Sequence, residues 1–483
     1  MAERRIGVAA RRRTKIVATL GPATSTPAVL ERLIDAGADV LRLNFSHGNH
    51  ADQVRLVQNL REIARKLNKD VALLGDLQGP KIRIDRFRTG SAMLAKGAAF
   101  ALDASLGPDD GDEHAVGLTY KTLPADVSPG DVLLLSDGQI VLTVESVAGD
   151  RIECRVEIGG TLSNNKGINR QGGGLSAKAL TDKDRADIRT AAELGVDYLA
   201  VSFPREATDV EEARRLLREA GGEGLIVAKI ERAEAVQNFD AIIAAADVIM
   251  IARGDLGVEL GYAELPGVQK DLIKRARDGN RVVITATQMM ESMIHSPMPT
   301  RAEVSDVANA VMDGTDAVML SGETAVGAFP VEAVQAMADT CLGAEKHRVT
   351  QVSRHRIDVR FRYVDEAIAM ASMYVANHLD VRAIVALTES GSTALWMSRI
   401  RSGIPIFALT RHESTRRRVK LYRGVYPVSF DVVHTDPANV VEAIVQTMLE
   451  RNVVAPGDQV IFTQGELSGV KGGTNTMKIV SVR

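Results

Sequence analysis

One stretch of the sequence, Ile226 to Gly257, constrains the fold more than any other. It contains two apolar runs, Ile226–Ala228 and Val248–Ala252, with a helical pattern between them. Neither run alternates apolar with polar residues, which indicates parallel strands buried on both faces. A strand–helix–strand unit of this kind is typical of a parallel barrel or a doubly wound sheet.

Charged residues in this stretch come where the strands stop. Lys229 and Glu231 follow the first run, and Asp255 follows the second. Active sites of parallel barrels and sheets lie at this end of the strands. Two carboxylates on rigid strand ends suit Mg²⁺ or Mn²⁺, and a lysine beside them suits a substrate rich in negative charge. The alternative is a structural Lys–Glu pair at a strand end.

The composition is ordinary for a globular protein and excludes several functional classes. Of the 483 residues 45% are hydrophobic and 25% charged, and the net charge is −3, so we expect no nucleic acid and no anionic membrane as a partner. The distant Cys154 and Cys341 give no disulfide framework. No segment approaches the ~20 apolar residues of a membrane span, and the run behind Arg11–Arg13 is too short for an export signal. We therefore expect a cytoplasmic protein.

The order of strand and helix patterns predicts a (β/α)8 TIM barrel. A helix from Asp187 to Leu194 leads into the fourth strand, and the two runs described above are the fifth and sixth. The other barrel strands are expected at Lys15–Leu20, Val40–Phe45, Val71–Leu77, Tyr198–Phe203, Arg281–Met289 and Ala317–Leu320. Eight strands, three before an interruption and five after it, is the count of this barrel.

Two further domains are expected. From about Ile84 to Leu175 short alternating runs are separated by Pro-Gly, Asp-Gly and Gly-Asp, which predicts an inserted small β-barrel domain. A separate βα series, including a helix from Ala394 to Arg401, predicts a C-terminal open α/β domain. We expect the barrel at residues 1–80 and 177–345, the inserted β lid domain at 81–176 and the C-terminal effector domain at 346–483.

Seven short motifs carry a resemblance to a known family. They are Arg42–Gly48, Gly79–Arg83, Asn165–Gly167, Ala228–Glu231, Ala252–Gly257, Thr285–Met289 and Met319–Thr324. Each alone is weak, but together and in this order they resemble the pyruvate kinase family over essentially the whole chain. The resemblance implies phosphoryl transfer from phosphoenolpyruvate to ADP in glycolysis, giving pyruvate and ATP, and it suggests a homotetramer.

The resemblance gives the strand-end residues their roles. Glu231 and Asp255 would bind the catalytic Mg²⁺ or Mn²⁺, and Lys229 would stabilise the phosphoryl group in transfer. Arg42 and Arg83 would add positive charge around the phosphate, because planar guanidinium groups suit phosphate oxygens. For either arginine alone, a surface ion pair is the alternative.

The resemblance also places the substrate carboxylate and the final proton transfer. The carboxylate would lie near the backbone N–H groups of Gly254 and Asp255, with the hydroxyl of Thr287. Thr287, Ser321 and Glu323 would form a hydroxyl–water–carboxylate relay that protonates enolpyruvate, with the last donor left open. For Ser321 and Glu323 the alternative is capping of the following helix.

The nucleotide contacts would come from both the barrel and the lid. Asn44, His47, Arg83 and Lys166 resemble the family's nucleotide-side residues, and closure of the lid would bring Lys166 to the phosphates. For His47 the alternative is a role beside a helix cap.

One departure from the family pattern concerns K⁺. The oxygens that hold K⁺ in many members correspond to Asn44, Ser46, Asp76 and the carbonyl of Leu77, all present here. The common K⁺-dependent pattern has Glu at the position of Lys81, whose tethered ammonium can take the electrostatic place of K⁺. We therefore expect activity without K⁺.

A second departure concerns regulation. The segment Thr388–Thr393 resembles the family's effector-phosphate loop, with candidate phosphate contacts at Thr388, Ser390, Gly391, Ser392 and Thr393. Glu389 stands where a Lys is frequent in members activated by fructose 1,6-bisphosphate. We therefore expect an activator with one phosphate, a sugar monophosphate or AMP, and a closing loop at Gly465–Thr474. The alternative is an unliganded helix cap.

Two other functions compete with this interpretation. A metal-dependent aldolase acting on pyruvate enolate would also use two carboxylates and an arginine, but it would need neither Lys166 on a lid nor Lys229 beside the metal. A catalytically dead effector-binding protein is disfavoured because every catalytic position is filled.

Overall fold

A closed barrel of eight parallel strands forms the centre of the structure, which is a computed structural model that describes residues 11–351, 360–436, 438–465 and 472–483. Each strand pairs with the next along the chain, and the eighth pairs with the first. The TIM barrel predicted from the sequence is therefore confirmed. Its strands are Lys15–Thr19, Val40–Asn44, Ala72–Asp76, Tyr198–Val201, Leu225–Ile230, Val248–Ala252, Val282–Ala286 and Ala317–Leu320.

Helices surround the barrel and bury the outward face of its strands. The first begins with Thr26, whose side chain accepts the N–H of Val29, and ends at Gly37 with a left-handed φ of 119°. The barrel helices are Pro27–Ala36, His50–Lys66, Asp182–Glu193, Ala207–Glu219, Ala233–Gln237, Phe239–Ala245, Arg253–Leu260, Leu265–Asp278, Arg301–Asp313, Gly322–Ala325 and Pro330–Ala344, with 3₁₀ turns at Pro22–Thr24, Glu291–Ile294 and Arg348–Thr350. One apolar core lies between strands and helices, and a second fills the barrel interior.

A separate domain, which we call the lid, leaves the barrel after the third strand and returns before the fourth. It is a six-stranded sheet with a separate two-stranded sheet, and its apolar core is its own. Its elements are the strands Ser91–Leu94, Ala99–Asp103, Ala115–Val116, Val132–Leu135, Ile140–Ala148, Arg151–Ile158, Gly160–Ser163 and Ile168–Arg170 and the helix Leu123–Asp126.

The C-terminal domain is a five-stranded sheet with helices. Four strands are parallel, and the last is antiparallel to its neighbour. The elements are the helices Val364–His378, Ser392–Ser398, Glu413–Val419 and Val440–Glu450 and the strands Ala383–Leu387, Ile406–Thr410, Val425–Ser429, Gln459–Gly465 and Thr474–Ser481. Together with the lid, this completes the expected fold class.

Four aspartates organise the amino-terminal end of the barrel, and we call them the aspartate ring. Each lies directly before an even-numbered strand, and its carboxylate accepts the N–H of the second residue of the preceding odd-numbered strand, at 2.8–3.0 Å. The ring consists of Asp39, Asp197, Asp247 and Asp316. These bonds tie neighbouring strands together beyond the sheet's own ladder.

The C-terminal domain docks on this ring through cations. Lys420 pairs with Asp39 at 2.8 Å, and Arg417 pairs with Asp197 at 2.9 Å. Arg399 makes a bidentate pair with Asp316, and both side chains are buried. The fourth member, Asp247, pairs with a barrel residue, Arg214, at 2.7 Å. The C-terminal domain therefore lies at the amino-terminal end of the barrel, opposite the carboxyl ends of the strands.

Several predicted element bounds were wrong, and three of them have a clear local reason. The seventh strand ends at Ala286, not Met289, because Thr287 and Gln288 have left-handed φ values of 69° and 53°. The helix expected from Asp187 begins at Asp182, where Thr181 and Asp184 form a capping box. The helix expected at Ala394–Arg401 is Ser392–Ser398, after Gly391 with φ 88°.

Candidate active site

Lys229 lies at the centre of a buried cluster of charges at the carboxyl ends of the strands. Its Nζ lies 3.0 Å from Oε1 of Glu231 and 3.3 Å from Oδ1 of Asp76, and it donates to Oγ of Ser202 at 2.6 Å. Nε of Arg42 donates to the other oxygen of Asp76 at 2.6 Å. The structure therefore brings Lys229, Glu231 and Arg42 together as expected, and it adds Asp76 as the counterion of both cations.

The electrostatics of this cluster fit a divalent cation. Burial is the largest influence on the pKa of Glu231 and raises it; Lys229 opposes that rise, and the nearby carboxylates of Asp255 and Asp76 add to it. Burial lowers the pKa of Lys229, but Asp76 and Glu231 outweigh it, so the net shift is upward and the ammonium form is favoured. The effect of Asp255 on the pKa of Glu231 shows that these two carboxylates lie near each other, as two ligands of one divalent metal ion must.

Two carboxylates alone would leave such an ion open to other ligands. In the described ranges no group of three or more His, Cys, Asp or Glu side chains is placed to hold a metal. Mg²⁺ and Mn²⁺ commonly take one or two carboxylates from the protein and their remaining ligands from substrate oxygens and water. Glu231 and Asp255 match that ligand set.

Asp255 lies in the first turn of the helix Arg253–Leu260, directly after the sixth strand. Its Oδ1 lies 3.4 Å from Nζ of Lys81 at the start of the lid. The N–H of the preceding Gly254 donates to Oγ1 of Thr287 at 2.7 Å. Gly254, Asp255 and Thr287 therefore meet at one place, and the Thr287 hydroxyl donates its own proton to the carbonyl of Ala286 at 2.6 Å.

Arg253, to which no role was assigned from the sequence, fixes the backbone around Thr287. It is buried, donates to the carbonyl of Thr287 at 2.7 Å and pairs with Asp306 at 2.7 Å. Three non-glycine residues at this end of the barrel have left-handed φ: Phe203, Thr287 and Gln288. Strained backbone of this kind concentrates at functional sites and persists only where contacts hold it.

Ser321 and Glu323 follow the eighth strand. The carboxylate of Glu323 is buried and accepts the N–H of Ser321 at 2.7 Å and that of Met290 at 3.1 Å. Burial is the main reason why the pKa of Glu323 is raised. Glu323 thus connects the turns after the seventh and eighth strands, while Ser321 makes no side-chain cap of the following helix.

The four candidate nucleotide residues lie on two elements. Asn44 ends the second strand and accepts the N–H of Ser46, and His47 follows with an exposed side chain. The cap of the next helix is Asn49, so the His47 ring does not cap it. On the lid, a guanidinium N–H of Arg83 donates to the carbonyl of Asn165 at 2.8 Å, which places Arg83 beside Lys166.

Three of the four residues of the expected K⁺ site already use their oxygens for partners within the protein. Asp76 pairs with Lys229 and Arg42, the carbonyl of Leu77 accepts the hydroxyl of Ser202, and Oδ1 of Asn44 accepts the N–H of Ser46. Lys81 makes its ion pair with Asp255. Its ammonium therefore lies on the side of the candidate divalent metal ligands.

The candidate effector segment is built from hydroxyl groups. Oγ1 of Thr388 accepts the N–H of Gly391 at 2.9 Å, Ser390 donates to Ser392 at 3.3 Å, and Thr393 is hydrogen-bonded to Thr474 at 2.8 Å. Glu389 pairs with His412 and lies 3.7 Å from Arg411, so its charge is partly balanced. Residues 466–471 of the expected closing loop lie outside the described residues.

Comparison with known proteins identifies the family. The model of the pyruvate kinase barrel domain matches residues 11–334, and that of the pyruvate kinase alpha/beta domain matches residues 366–480. The chain belongs to the pyruvate kinase family. Pyruvate kinase II of Salmonella typhimurium is 59% identical over 98% of this chain and 99% of its own length. Pyruvate kinase of Haemophilus influenzae is 57% identical over 94% and 96%, and pyruvate kinase 2 of Synechocystis is 44% identical over 98% and 80%.

Membership confirms the function expected from the motifs. The chain is a phosphotransferase that acts on phosphoenolpyruvate and ADP, and its family requires a divalent metal ion. The aldolase interpretation is set aside. None of the helices in the described ranges combines the length and apolar character needed to cross a membrane.

Proposed function

We propose that the buried cluster around Lys229 carries out the phosphoryl transfer of this pyruvate kinase. The observation that carries the proposal is the placement of Lys229 between Glu231 and Asp76, with Arg42 on the far side of Asp76. Phosphoryl transfer needs positioned positive charge more than covalent help, and Lys229 and Arg42 supply it without reorganisation. Glu231 and Asp255 would hold Mg²⁺ or Mn²⁺, which supplies further charge neutralisation when bound.

The part of the site around Gly254 and Thr287 would hold the rest of the substrate. Its carboxylate would take over the Gly254 N–H. The Thr287 hydroxyl, which donates to the carbonyl of Ala286 at 2.6 Å, would then turn to face the reacting carbon. Transfer of the phosphoryl group leaves enolpyruvate, whose methylene carbon then accepts a proton as the enol oxygen becomes a ketone. Thr287, with Ser321 and Glu323 behind it, would deliver that proton. Because both oxygens of Glu323 already accept backbone N–H groups, we assign Glu323 the innermost position in the relay.

The nucleotide would bind between the barrel and the lid. Asn44 and His47 belong to the barrel, while Arg83 and Lys166 lie side by side on the lid. Closure of the lid would add two positive charges to the ADP phosphates and exclude water from the transferred group.

The first test is pyruvate formation from phosphoenolpyruvate, ADP and Mg²⁺ in a buffer without K⁺. We expect turnover, because the Lys81 ammonium lies 3.4 Å from Asp255 and supplies a fixed monovalent charge at the site. Turnover only after K⁺ is added would keep the kinase and remove the role of Lys81. No turnover in either buffer, with or without the candidate activators, would contradict the assignment of this site.

Lys81→Glu tests the K⁺ substitution directly. The variant should lose activity in buffer without K⁺ and regain it when K⁺ is added, because the glutamate restores the charge at this position in K⁺-dependent members. Lys178→Glu, an exposed lysine at the barrel side of the lid, is the charge-matched control. A Lys81→Glu enzyme that is inactive at every K⁺ concentration would contradict the idea.

We also propose an effector with a single phosphate at Thr388–Thr393, a cytoplasmic location and a homotetrameric assembly. The hydroxyls of Thr388, Ser390, Ser392 and Thr393 support a phosphate site. The pairing of Glu389 with His412 and Arg411 leaves less unbalanced charge than the sequence suggested. Phosphoenolpyruvate saturation curves measured with a sugar monophosphate, AMP and fructose 1,6-bisphosphate test which effector activates the enzyme. A response to the bisphosphate alone would exclude an effector with a single phosphate.

A further inference from the structure

The barrel holds the returning end of the lid at three points. The N–H of Gly172 donates to the carbonyl of Glu259 at 3.0 Å. The N–H of Gly174 donates to the carboxylate of Glu234. A guanidinium N–H of Arg232 donates to the carbonyl of Leu175 at 3.1 Å. On the lid side all three hydrogen bonds involve backbone groups. They therefore fix the path of the main chain where it leaves the lid.

Glu259 makes a further contact through its side chain. The side chain is buried, with the residue only 4% exposed, and Oε2 accepts the N–H of Ala233 at 2.9 Å. The buried amide of Asn169, in the last strand of the lid, lies beside this carboxyl group and lowers its pKa against the effect of burial. One carboxylate thus bridges the barrel and the lid.

The two partners of Glu259 connect it to the candidate metal ligands. Ala233 begins the helix two residues after Glu231. Glu259 itself lies one helical turn after Asp255 on the same helix. The Glu259 carboxylate therefore joins the segment that carries Glu231, the helix that carries Asp255 and the lid.

A small cavity of about 20 Å³ lies at the root of the lid, and Lys81, Asn169, Asp255 and Glu259 are among the residues that line it. Asn169 lies three residues after Lys166 on the lid. A change in the Asn169–Glu259 contact would therefore be passed to the lid residue that we place at the ADP phosphates.

We propose that Glu259 is a positioning residue that fixes the angle of the lid relative to the two metal-binding carboxylates. The inference rests on the proposed nucleotide role of the lid. It goes beyond that role because Glu259, which contacts none of the reacting groups, would determine the angle of the lid. Glu259 acts through Asn169 on the ADP side and through Ala233 on the side of Glu231.

Glu259→Gln is the decisive variant because it keeps the size of the side chain and replaces one of its two acceptor oxygens with an NH₂ group. A glutamine has one acceptor oxygen, so it cannot accept hydrogen bonds at both ends from the Ala233 N–H and the Asn169 amide. Asn169→Ala removes only the arm to the lid. Glu264→Gln, an exposed glutamate five residues later, is the matched control.

The experiment measures steady-state kinetics and amide hydrogen exchange on the full chain with Mg²⁺. Loss of one hydrogen bond of about 1 kcal/mol predicts about a fivefold rise of KM for ADP in Glu259→Gln and Asn169→Ala. KM for phosphoenolpyruvate should stay within about twofold in Asn169→Ala. Exchange of the amides of residues 170–176 should speed up in both variants and stay unchanged in Glu264→Gln.

A double variant shows whether the two residues act through one contact. Glu259→Gln with Asn169→Ala should raise KM for ADP no more than Glu259→Gln alone. Additive effects, or a fall in kcat alone with unchanged KM values and unchanged exchange, would overturn the proposal. Faster exchange at residues 170–176 without a change in KM for ADP would show instead that the lid does not bind the nucleotide, which contradicts the proposed function and leaves the bridge in place.

Discussion

Removal of Arg399 should destabilise the protein more than removal of Arg214, because the ion pair of Arg399 is buried and that of Arg214 is partly exposed. Arg399 and Asp316 have side chains that are 1% and 2% exposed, and they join the C-terminal domain to the aspartate ring. Arg214 and Asp247 make the same kind of pair at another ring position, but their side chains are 30% and 29% exposed. Each aspartate accepts one strand N–H in the same way, at 2.9 and 2.8 Å. The two sites therefore differ in burial, and the buried pair is also bidentate and joins two domains.

The expected magnitudes follow from that difference. Arg399→Leu leaves Asp316 charged and buried with only the N–H groups of Val283 and Arg423, which costs about 3–5 kcal/mol. Arg214→Leu exposes its partner to water and costs about 0–1 kcal/mol. At about 2–4 °C per kcal/mol for a domain of this size, the melting temperature should fall by roughly 10 °C in the first variant and by less than about 4 °C in the second.

Thermal unfolding followed by dye fluorescence, with residual pyruvate formation on the same samples, measures both shifts. Addition of Asp316→Asn to Arg399→Leu should recover part of the loss, because the amide is uncharged and its oxygen still accepts the Val283 N–H. Equal shifts in the two single variants, or no recovery in the double variant, would refute the reasoning from burial.

Three further predictions concern the active site. Lys229→Met should lower kcat by about 10²- to 10³-fold, because it removes a fixed positive charge from the phosphoryl group; a fall of less than tenfold would contradict that role. Glu231→Gln should weaken Mn²⁺ binding to the protein without substrate by at least about tenfold in calorimetry, and unchanged binding would place the ion elsewhere. Burial raises the pKa of Glu259 to about 7, above ~4.3 for an unfolded glutamate, so the wild type loses stability as pH rises between these values. Glu259→Gln lacks that loss. From pH 5 to pH 8 its free energy of unfolding should therefore rise by about 2–3 kcal/mol relative to wild type, and its melting temperature should rise with it. A difference that stays constant with pH would exclude the raised pKa of Glu259.

The barrel was predictable because its information is local. Runs such as Val248–Ala252 are apolar at every position, and strands buried on both faces need that pattern. The charged residues that follow them marked the carboxyl ends, so Glu231 and Asp255 were found before any resemblance was used. The structure places Glu231 3.0 Å from Lys229 and Asp255 3.4 Å from Lys81.

Contacts between distant segments were not predictable in this way. The sequence indicated Asp76 as a K⁺ ligand, but only the closed barrel shows that it faces both Lys229 and Arg42. The positive φ of Thr287 depends on Arg253, which grips its carbonyl from 34 residues away. A single sequence does not specify which side chain reaches across such a distance.

The aspartate ring, in contrast, corresponds to a recurring pattern in the sequence from which no prediction was made. Each member lies between a small or β-branched residue and the first apolar residue of a strand, as in Ala38-Asp39-Val40 and Ala246-Asp247-Val248. The recurrence of Asp directly before every second strand predicts a shared structural role. Its pairing with cations of the C-terminal domain still required the three-dimensional structure.

The position of the lid has a consequence for how the chain folds. The third and fourth barrel strands are hydrogen-bonded neighbours although about 120 residues separate them. The lid has a separate apolar core, and its two ends meet where Arg83 pairs with Gly167. If the lid forms first, it shortens the segment that must close to about 40 residues and reduces the entropy lost on closure by about 1 kcal/mol, or about fivefold in the closure equilibrium. The inserted domain thereby lowers the conformational cost of completing the barrel that it interrupts.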